Sequence, residues 1–221
     1  MNNNISVVLL GAGRSRRLKN NVIKQNILIN KKRVIDYSRE FFSKHFKDSK
    51  IYLVINKKVI ITNKKNRESI LLGSSSRAKS LFCAMEHIYN NNLQTTYTLV
   101  HDIARPVLNI NNINSLIKSI KPGIDGSSLG YPITNAIKEI NNANIRHNII
   151  KKNLWSTFTP QLFRSDELYQ SLNYILDHNY EIEDDVEALL MNNCKCKIVM
   201  ASPDNIKITH SDDIEVVKKL L

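Results

Sequence analysis

A turn of small residues followed by several cations is the first feature of this sequence that could do chemistry. Gly11, Ala12 and Gly13 follow an apolar run, and the basic residues come directly behind them: Arg14, Arg16, Arg17 and Lys24. Small residues after a buried strand let backbone N–H groups approach phosphates, and clustered cations suit a triphosphate. The turn matches neither G-x-G-x-x-G nor the Walker A pattern. A tight turn with a solvated basic face is the alternative.

The alternation of apolar patterns predicts the elements that would position these residues. Short apolar runs predict strands at residues 5–10, 51–55, 97–100, 126–133, 197–201 and 206–209. Helical spacing predicts helices at residues 34–46, 80–89, 110–120, 165–178 and 184–191, and a last helix capped by Ser211. This order predicts an α/β fold with a mostly parallel sheet and helices on both faces. Ligands then bind where strands end, after residues 10, 72, 100 and 133.

Residues 134–157 break this rhythm. They contain short β-like pieces at 136–140 and 145–150 around a polar asparagine turn, which predicts a hairpin or protruding arm. The whole length of 221 residues suits a single domain over 1–221 that includes the arm.

The net charge of +12 suggests nucleic-acid binding, but three observations disfavour that interpretation. Lysines outnumber arginines by 22 to 10, whereas nucleic-acid and phosphate forks favour arginine. Asparagine, isoleucine and lysine, all abundant here, share A/T-rich codons, so a composition bias would produce the same charge. Basic stretches interleaved with aromatic residues, typical of single-strand RNA binding, are absent from the sequence. We expect no nucleic-acid partner.

The remaining composition predicts a cytoplasmic protein. No apolar run approaches the roughly 18 residues of a membrane span, and the N-terminus lacks the basic region of a signal peptide. Only three cysteines occur, and Cys194 and Cys196 are too close together for the usual zinc knuckle. We therefore expect ordinary reduced thiols and no membrane partner.

Five segments, taken together, resemble one known family. They are Leu10 to Leu18 with Lys24-Gln25, Gly73 to Ser80, Val100-His101-Asp102-Ile103-Ala104-Arg105-Pro106, Thr159 to Phe163, and Asp204 to Thr209. In this order they resemble the signature of the 2-C-methyl-D-erythritol 4-phosphate cytidylyltransferases over residues 7–217. The resemblance implies a Rossmann-like nucleotidyltransferase sandwich with a protruding β-arm.

The resemblance also implies a reaction. CTP and methylerythritol phosphate would give a cytidine diphosphate alcohol and pyrophosphate, with Mg²⁺ or another divalent cation, as a step of non-mevalonate isoprenoid biosynthesis. Nucleotidyl transfer needs positioning and neutralisation of charge more than covalent help from the protein. This requirement is consistent with the many cations among the matched positions.

The cations receive their roles from the resemblance. Arg17 and Lys24 match the family's transition-state stabilisers, and Lys207 matches a lysine that positions the incoming phosphate. Arg16 stays an alternative to Arg17, although Arg17 directly precedes the apolar Leu18 as in the family.

The binding residues are implied in the same way. Gly11, Ala12 and Gly13 would contact the nucleotide through their backbone, and Ser80 matches a serine near the cytosine and ribose. Around the alcohol, the matched residues are Asp102, Arg105 and Thr159. Asp102 is also the candidate ligand of Mg²⁺ or of its waters.

The acceptor half departs from the family pattern. Ala136 stands where a threonine contacts the alcohol in the family, and Lys151 stands where an arginine grips the acceptor phosphate from the neighbouring subunit's arm. Lysine keeps the charge but loses the bidentate fork, and Lys152 is an alternative to Lys151. The arm of residues 134–157 further implies a homodimer.

Two other functions stay open beside the main one. A ribitol 5-phosphate cytidylyltransferase shares the fold and much of the signature, so the polyol phosphate is open. A catalytically weak homologue that binds nucleotide or RNA is the alternative of another class, disfavoured because the key cations are present.

Two neighbouring features have a structural interpretation. His101 precedes Asp102 at a strand end, where an imidazole commonly bonds to the backbone, and the acceptor phosphate needs no strong base. The acidic run of Glu183, Asp184 and Asp185 fits a helix N-terminus better than a metal site.

Overall fold

A mixed sheet forms the centre of the computed structural model, which describes residues 4–13 and 22–221. The first half contains β1 (Ile5–Gly11), a 3₁₀ turn (Lys24–Asn26), β2 (Leu28–Ile29), β3 (Lys32–Arg33), α1 (Val34–His45), β4 (Ile51–Ile55), β5 (Glu68–Leu72), α2 (Arg77–Asn90) and β6 (Tyr97–Asp102). The second half contains α3 (Ile110–Ser119), β7 (Gly126–Pro132), β8 (Ile137–Asn141), β9 (Asn144–Ile149), β10 (Trp155–Arg164), α4 (Ser165–Asp177), α5 (Asp185–Met191), β11 (Cys196–Met200) and α6 (Ser211–Leu220).

Seven of these strands join in the order β11-β7-β10-β6-β1-β4-β5. β1 is parallel to β4 and β6, β4 is parallel to β5, and β7 is parallel to β11. Only β10 among the strands of this sheet runs against its neighbours, β6 and β7. The predicted α/β class with a mostly parallel sheet is confirmed.

The sheet is covered on both faces because its strands present apolar residues alternately to each side. In β1, Val7 and Leu9 join the cluster formed with α1, α3 and α6, whereas Val8 and Leu10 join the cluster formed with α2, α4 and α5. All four side chains are buried. This layering brings the carboxyl ends of β1, β4, β5 and β6 to one edge of the sheet.

Three details of the sequence prediction are wrong. The apolar patterns predict no strand at β10; Pro160 lies within it, a cis peptide joins Thr159 to Pro160, and the register of β10 with β7 shifts there. Residues 206–209 form no strand; Ile208 donates a single backbone hydrogen bond to Ala104. The last helix has its N-cap at His210, whose N–H donates to Asp213 Oδ2 at 2.7 Å, so Ser211 is the first helical residue.

The predicted arm is a hairpin. β8 and β9 pair with each other in a separate two-stranded sheet around Asn142 and Ala143, which both have positive φ. Ile140 and Ile145 are paired across the hairpin and are 62% and 66% exposed. The hairpin therefore carries an apolar surface that its own chain leaves uncovered.

The cysteines are free and partly buried. Burial raises the pKa of Cys194 to about 11 and that of Cys196 to about 12, so neither is a reactive thiolate. No helix in residues 4–13 or 22–221 has both the length and the hydropathy needed to cross a membrane.

Candidate functional site

Two adjoining cavities open at the edge of the sheet where β1, β5 and β6 end. The larger has a volume of about 640 Å³ and the smaller about 350 Å³. Four charged residues line both cavities: Arg77, Asp102, Glu183 and Lys207. Three of the four predicted strand ends, after residues 10, 72 and 100, thus meet at one cleft, whereas the fourth leads into the arm.

The floor of the larger cavity depends on a very close approach of two backbone segments. A Cβ added to Gly73 would lie 2.2 Å from the Cβ of Ala12, and one added to Gly11 would lie 2.7 Å from Ile103 Cδ1. Gln25 Nε2 donates to the carbonyl of Gly11 at 2.6 Å and ties the 3₁₀ turn to the same floor. Gly73 is needed here because a Cβ would collide with the Cβ of Ala12, whereas a Cβ at Gly11 would displace the end of the Ile103 side chain.

The opposite end of this floor is the N-terminus of α2. Ser76 caps the helix by accepting from the N–H of Lys79 at 3.1 Å. The hydroxyl of Ser80 donates to the carbonyl of Ser76 at 2.7 Å and accepts from the N–H of Ser74 at 2.9 Å. The Ser80 hydroxyl therefore fixes the loop of Ser74, Ser75 and Ser76 that precedes α2. The N-terminus of α2 offers backbone N–H donors to an anion in the cavity.

Asp102 lies among three cations between the two cavities. Its Oδ2 lies 2.7 Å from Lys207 Nζ and 3.9 Å from Arg105 Nε, and its Oδ1 lies 3.2 Å from Arg77 Nε. Burial alone would raise the pKa of Asp102, but Arg77, Lys207 and Arg105 outweigh it and hold that pKa well below its usual range. Asp102 is ionised throughout the neutral range.

This arrangement fits poorly with a metal bound directly by Asp102. Both carboxylate oxygens already accept hydrogen bonds, from Arg77 and Lys207. Within residues 4–13 and 22–221 no group of three or more His, Cys, Asp or Glu side chains could hold a metal ion. Asp102 balances the charge of the surrounding cations, and its contact with a metal ion or its waters stays a prediction.

The acidic run at residues 183–185 lies at the start of α5, as predicted, and Glu183 also lines both cavities. Asp184 caps α5 by accepting from the N–H of Glu187 at 3.1 Å, and its Oδ2 accepts from Gln161 Nε2 at 3.0 Å. Asp185 is fully buried and binds Arg77 through Oδ1. Burial raises the pKa of Asp185, and the guanidinium of Arg77 opposes that rise.

The smaller cavity is held together by contacts between β10 and the loop before α6. Thr159 Oγ1 accepts from the N–H of Asp102 at 3.0 Å, and Asn205 Nδ2 donates to the carbonyl of Thr159 at 2.8 Å. Arg105 Nη1 donates to the carbonyl of Asn205 at 2.7 Å, and its guanidinium lies over the ring of Phe158. Thr159 and Arg105 thus form a fixed polar wall.

His101 is a structural residue, as its sequence context indicated. Its ring is fully buried, and Nε2 donates to the carbonyl of Arg105 at 3.1 Å. Burial lowers the pKa of His101 to about 3, so the imidazole is neutral at physiological pH. It lines neither cavity.

The predicted site residues that the structure describes divide between the two cavities and the arm. The larger cavity is lined by Gly11, Ala12, Gly13, Lys24, Ser80, Asp102 and Lys207, and the smaller by Asp102, Arg105, Thr159 and Lys207. Ala136 and Lys151 are exposed on the arm and line neither cavity; Lys151 Nζ donates to the carbonyl of Thr134. The predictions for Arg16 and Arg17 lie outside the described residues.

Arg77 is a site residue that the sequence analysis missed. It lies in the segment from Gly73 to Ser80 that resembles the family, but the sequence analysis assigned it no role. A cation in the first turn of a helix opposes the macrodipole, so an arginine directly after a capping serine indicates nearby carboxylates. Burial alone would lower the pKa of Arg77, but Asp185 and Asp102 raise it above its usual range.

Comparison with known proteins gives a consistent result. The family model described as 2-C-methyl-D-erythritol 4-phosphate cytidylyltransferase matches residues 5–221. A protein of that name from Wigglesworthia glossinidia brevipalpis is 33% identical over 215 residues, which cover 95% of this chain and 92% of the relative. One from Aliivibrio fischeri (strain MJ11) is 28% identical over 227 residues, covering 97% and 92%. The crystal structure of the Francisella tularensis protein of that name superposes with a TM-score of 0.85 at 25% identity, covering 99% of this chain and all of the other.

Proposed function

Because this chain belongs to the 2-C-methyl-D-erythritol 4-phosphate cytidylyltransferase family, we propose that its two cavities hold CTP and methylerythritol phosphate for cytidylyl transfer. The reaction serves isoprenoid precursor biosynthesis. The observation that carries the proposal is the cluster of Arg77, Asp102 and Lys207 on the boundary that both cavities share. A phosphate oxygen of the acceptor forms a bond to the α-phosphorus of CTP. The bond from that phosphorus to the β-phosphate oxygen breaks, and pyrophosphate leaves.

The larger cavity suits the nucleotide. Its floor of small residues and the N-terminus of α2 offer backbone N–H donors, which bind phosphates without a bulky side chain. Lys24 lines this cavity and adds a fixed cation; its Nζ donates to the carbonyl of Ile208 at 3.1 Å. We assign Lys24, with Arg17 from the sequence pattern, to the charge that develops in the pentavalent transition state.

The smaller cavity suits the acceptor. Thr159 and Arg105 form its polar wall, and the ionised carboxylate of Asp102 accepts hydrogen bonds from the hydroxyls of a polyol. Lys207 lies at the boundary, where its ammonium attracts the acceptor phosphate towards the nucleotide. Holding the two phosphates together supplies the proximity on which such a displacement depends.

We include Mg²⁺ as the divalent cation of the reaction. The described residues offer no preformed carboxylate set, so the phosphates of CTP are its proposed ligands. The ion would neutralise charge on the triphosphate, and the residues of the chain keep the positions described above. We also place the enzyme in the cytoplasm, in line with its few cysteines.

We propose that the enzyme is a homodimer whose arms complete the acceptor sites. Ala136 and Lys151 lie on the arm, away from both cavities of their own chain. The exposed pair Ile140 and Ile145 provides apolar surface for a second subunit. A Lys151 from the partner would then bring its ammonium to the acceptor phosphate.

Light scattering should therefore find a dimer, and charging the apolar pair should break it. The double variant Ile140→Asp/Ile145→Asp should become monomeric and should lose turnover of methylerythritol phosphate. Its KM for CTP should stay within about threefold of wild type, which is a small change in binding free energy. Ile60→Asp is a matched control, because Ile60 is 49% exposed and lies outside the arm. A fully active monomer would contradict the shared site.

Pyrophosphate release with CTP, Mg²⁺ and each candidate acceptor tests the proposed function directly. We expect methylerythritol phosphate to exceed ribitol 5-phosphate in kcat/KM. The absence of a hydroxyl at Ala136 is the observation that favours ribitol 5-phosphate as the second candidate. A preference of about tenfold for ribitol 5-phosphate, or 1.4 kcal/mol, would reverse the acceptor assignment.

Restoring the two arm residues should improve the acceptor half of the reaction. Lys151→Arg, alone or with Ala136→Thr, adds directed hydrogen bonds, and a charge-assisted hydrogen bond contributes about 1.5–3 kcal/mol where nothing replaces it. Since lysine retains part of this attraction, we expect the KM for methylerythritol phosphate to fall by a few-fold with that for CTP unchanged. Lys152→Arg tests the alternative that Lys152, and not Lys151, binds the acceptor phosphate. If the double reversion impairs turnover instead, Ala136 makes room for another polyol phosphate.

A further inference from the structure

Arg77 connects two acidic residues that come from distant parts of the chain. Its Nε donates to Asp102 Oδ1 at 3.2 Å, at the end of β6, and its Nη1 donates to Asp185 Oδ1, at the start of α5. Arg77 itself is the first residue of α2, where the macrodipole disfavours a cation. The two carboxylates therefore hold the guanidinium at a place that the helix alone would not favour.

Asp185 has no direct access to a substrate. The residue is fully buried and lines neither cavity. In the part of the chain that the structure describes, its Oδ2 lacks a hydrogen-bond partner, so the polar contact of this side chain is the one to Arg77. A buried carboxylate is costly unless it is paired, and its contribution here is to fix the guanidinium.

The orientation of Asp102 follows from this contact. Arg77 occupies Oδ1, which leaves Oδ2 directed to Lys207 Nζ at 2.7 Å. The planar guanidinium binds Asp102 through Nε and Asp185 through Nη1, so two carboxylates fix its orientation, and its rigid plane in turn fixes the direction of the bond to Asp102. The ammonium of Lys207 is thus held at the boundary of the two cavities before a substrate arrives.

We propose that Arg77 and Asp185 are positioning residues for the acceptor: Asp185 holds Arg77, Arg77 orients Asp102, and Asp102 orients Lys207. The inference rests on the proposed function, because it assigns Lys207 to the acceptor phosphate. It adds a buried residue, outside both cavities, that controls the acceptor side of the reaction.

Steady-state kinetics of Asp185→Asn, Arg77→Lys and the double variant test this chain of contacts. For Asp185→Asn we expect the KM of the acceptor to rise about tenfold, with the KM of CTP within about twofold of wild type. Because Asp185 acts through Arg77, the double variant should be no worse than the poorer single variant. Glu187→Gln is the matched control: Glu187 also opens α5, and its Oε2 accepts from the N–H of Glu183, a bond that glutamine keeps. A purely structural Asp185 would lower the melting temperature and leave both KM values unchanged, which would overturn the proposal.

A second measurement needs no turnover. Trace labelling with acetic anhydride, read by mass spectrometry, reports the availability of the Lys207 amine relative to the exposed Lys219. We expect Lys207 to label several-fold faster in Asp185→Asn and Arg77→Lys than in wild type, and at the wild-type rate in Glu187→Gln. Unchanged labelling in both variants overturns the positioning role even in an active enzyme. Changed labelling in a protein that fails to release pyrophosphate upholds the positioning role and refutes the proposed function.

Discussion

Lys24→Ala should lower kcat by about a hundredfold or more while leaving the KM for CTP within about threefold of wild type, because a fixed cation in such a site acts chiefly on charge that develops in the transition state. The structure supports this expectation by setting the side chain in the larger cavity. Its Nζ donates to the carbonyl of Ile208, one residue after Lys207. The Lys24 ammonium is therefore anchored next to the residue assigned to the acceptor phosphate.

Four further variants sharpen this measurement. Lys24→Arg keeps the charge with a different shape and should recover part of the lost turnover. Arg17→Ala should resemble Lys24→Ala if the sequence pattern assigns Arg17 correctly, and Arg16→Ala should not. Lys219→Ala removes an exposed cation of α6, away from the cleft, and controls for net charge. Near-normal turnover of Lys24→Ala with only a raised KM for CTP would reject its role in the transition state.

The patterns that predicted the fold are those set by local periodicity. The apolar run at Ile51–Ile55 is a strand over the predicted residues, and the predicted helix at residues 34–46 is α1. Asp102 lies at the carboxyl end of β6, where the rule for parallel sheets expects ligands. The local pattern does not predict β10, because Pro160 interrupts it and the strand is formed by pairing with β6 and β7.

The part of the site that could not be predicted depends on distant pairings. Arg77 meets Asp102 across 25 positions and Asp185 across 108, and no local pattern records which buried charge pairs with which. The same holds in the core, where buried Arg39 binds buried Glu68 at 2.6 Å from 29 positions away. Periodicity places such residues on elements, but only the assembled sheet brings their charges together.

Variants of Ala12 and Gly73 test whether the close approach of these two residues in the floor of the larger cavity controls the use of CTP. In Gly73→Ala the new Cβ would lie 2.2 Å from the Cβ of Ala12, well below ordinary van der Waals contact. The φ angle of Gly73 is not positive, so an alanine is excluded by space and not by backbone conformation. The floor must therefore open by about 1 Å, and a displacement of that size can cost about a hundredfold in rate. We expect a loss of this order in kcat/KM for CTP.

The compensating change separates this steric cause from general damage. Ala12→Gly removes the atom that the new methyl group meets, so Ala12→Gly/Gly73→Ala should recover most of the lost kcat/KM for CTP. The other close neighbour, Ser80 Oγ at 3.1 Å, belongs to a side chain that can yield by a few tenths of an ångström. The effects of the two substitutions on kcat/KM should be strongly non-additive, because the two residues share one contact. If the double variant is as poor as Gly73→Ala alone, the approach of these two backbones does not control nucleotide binding.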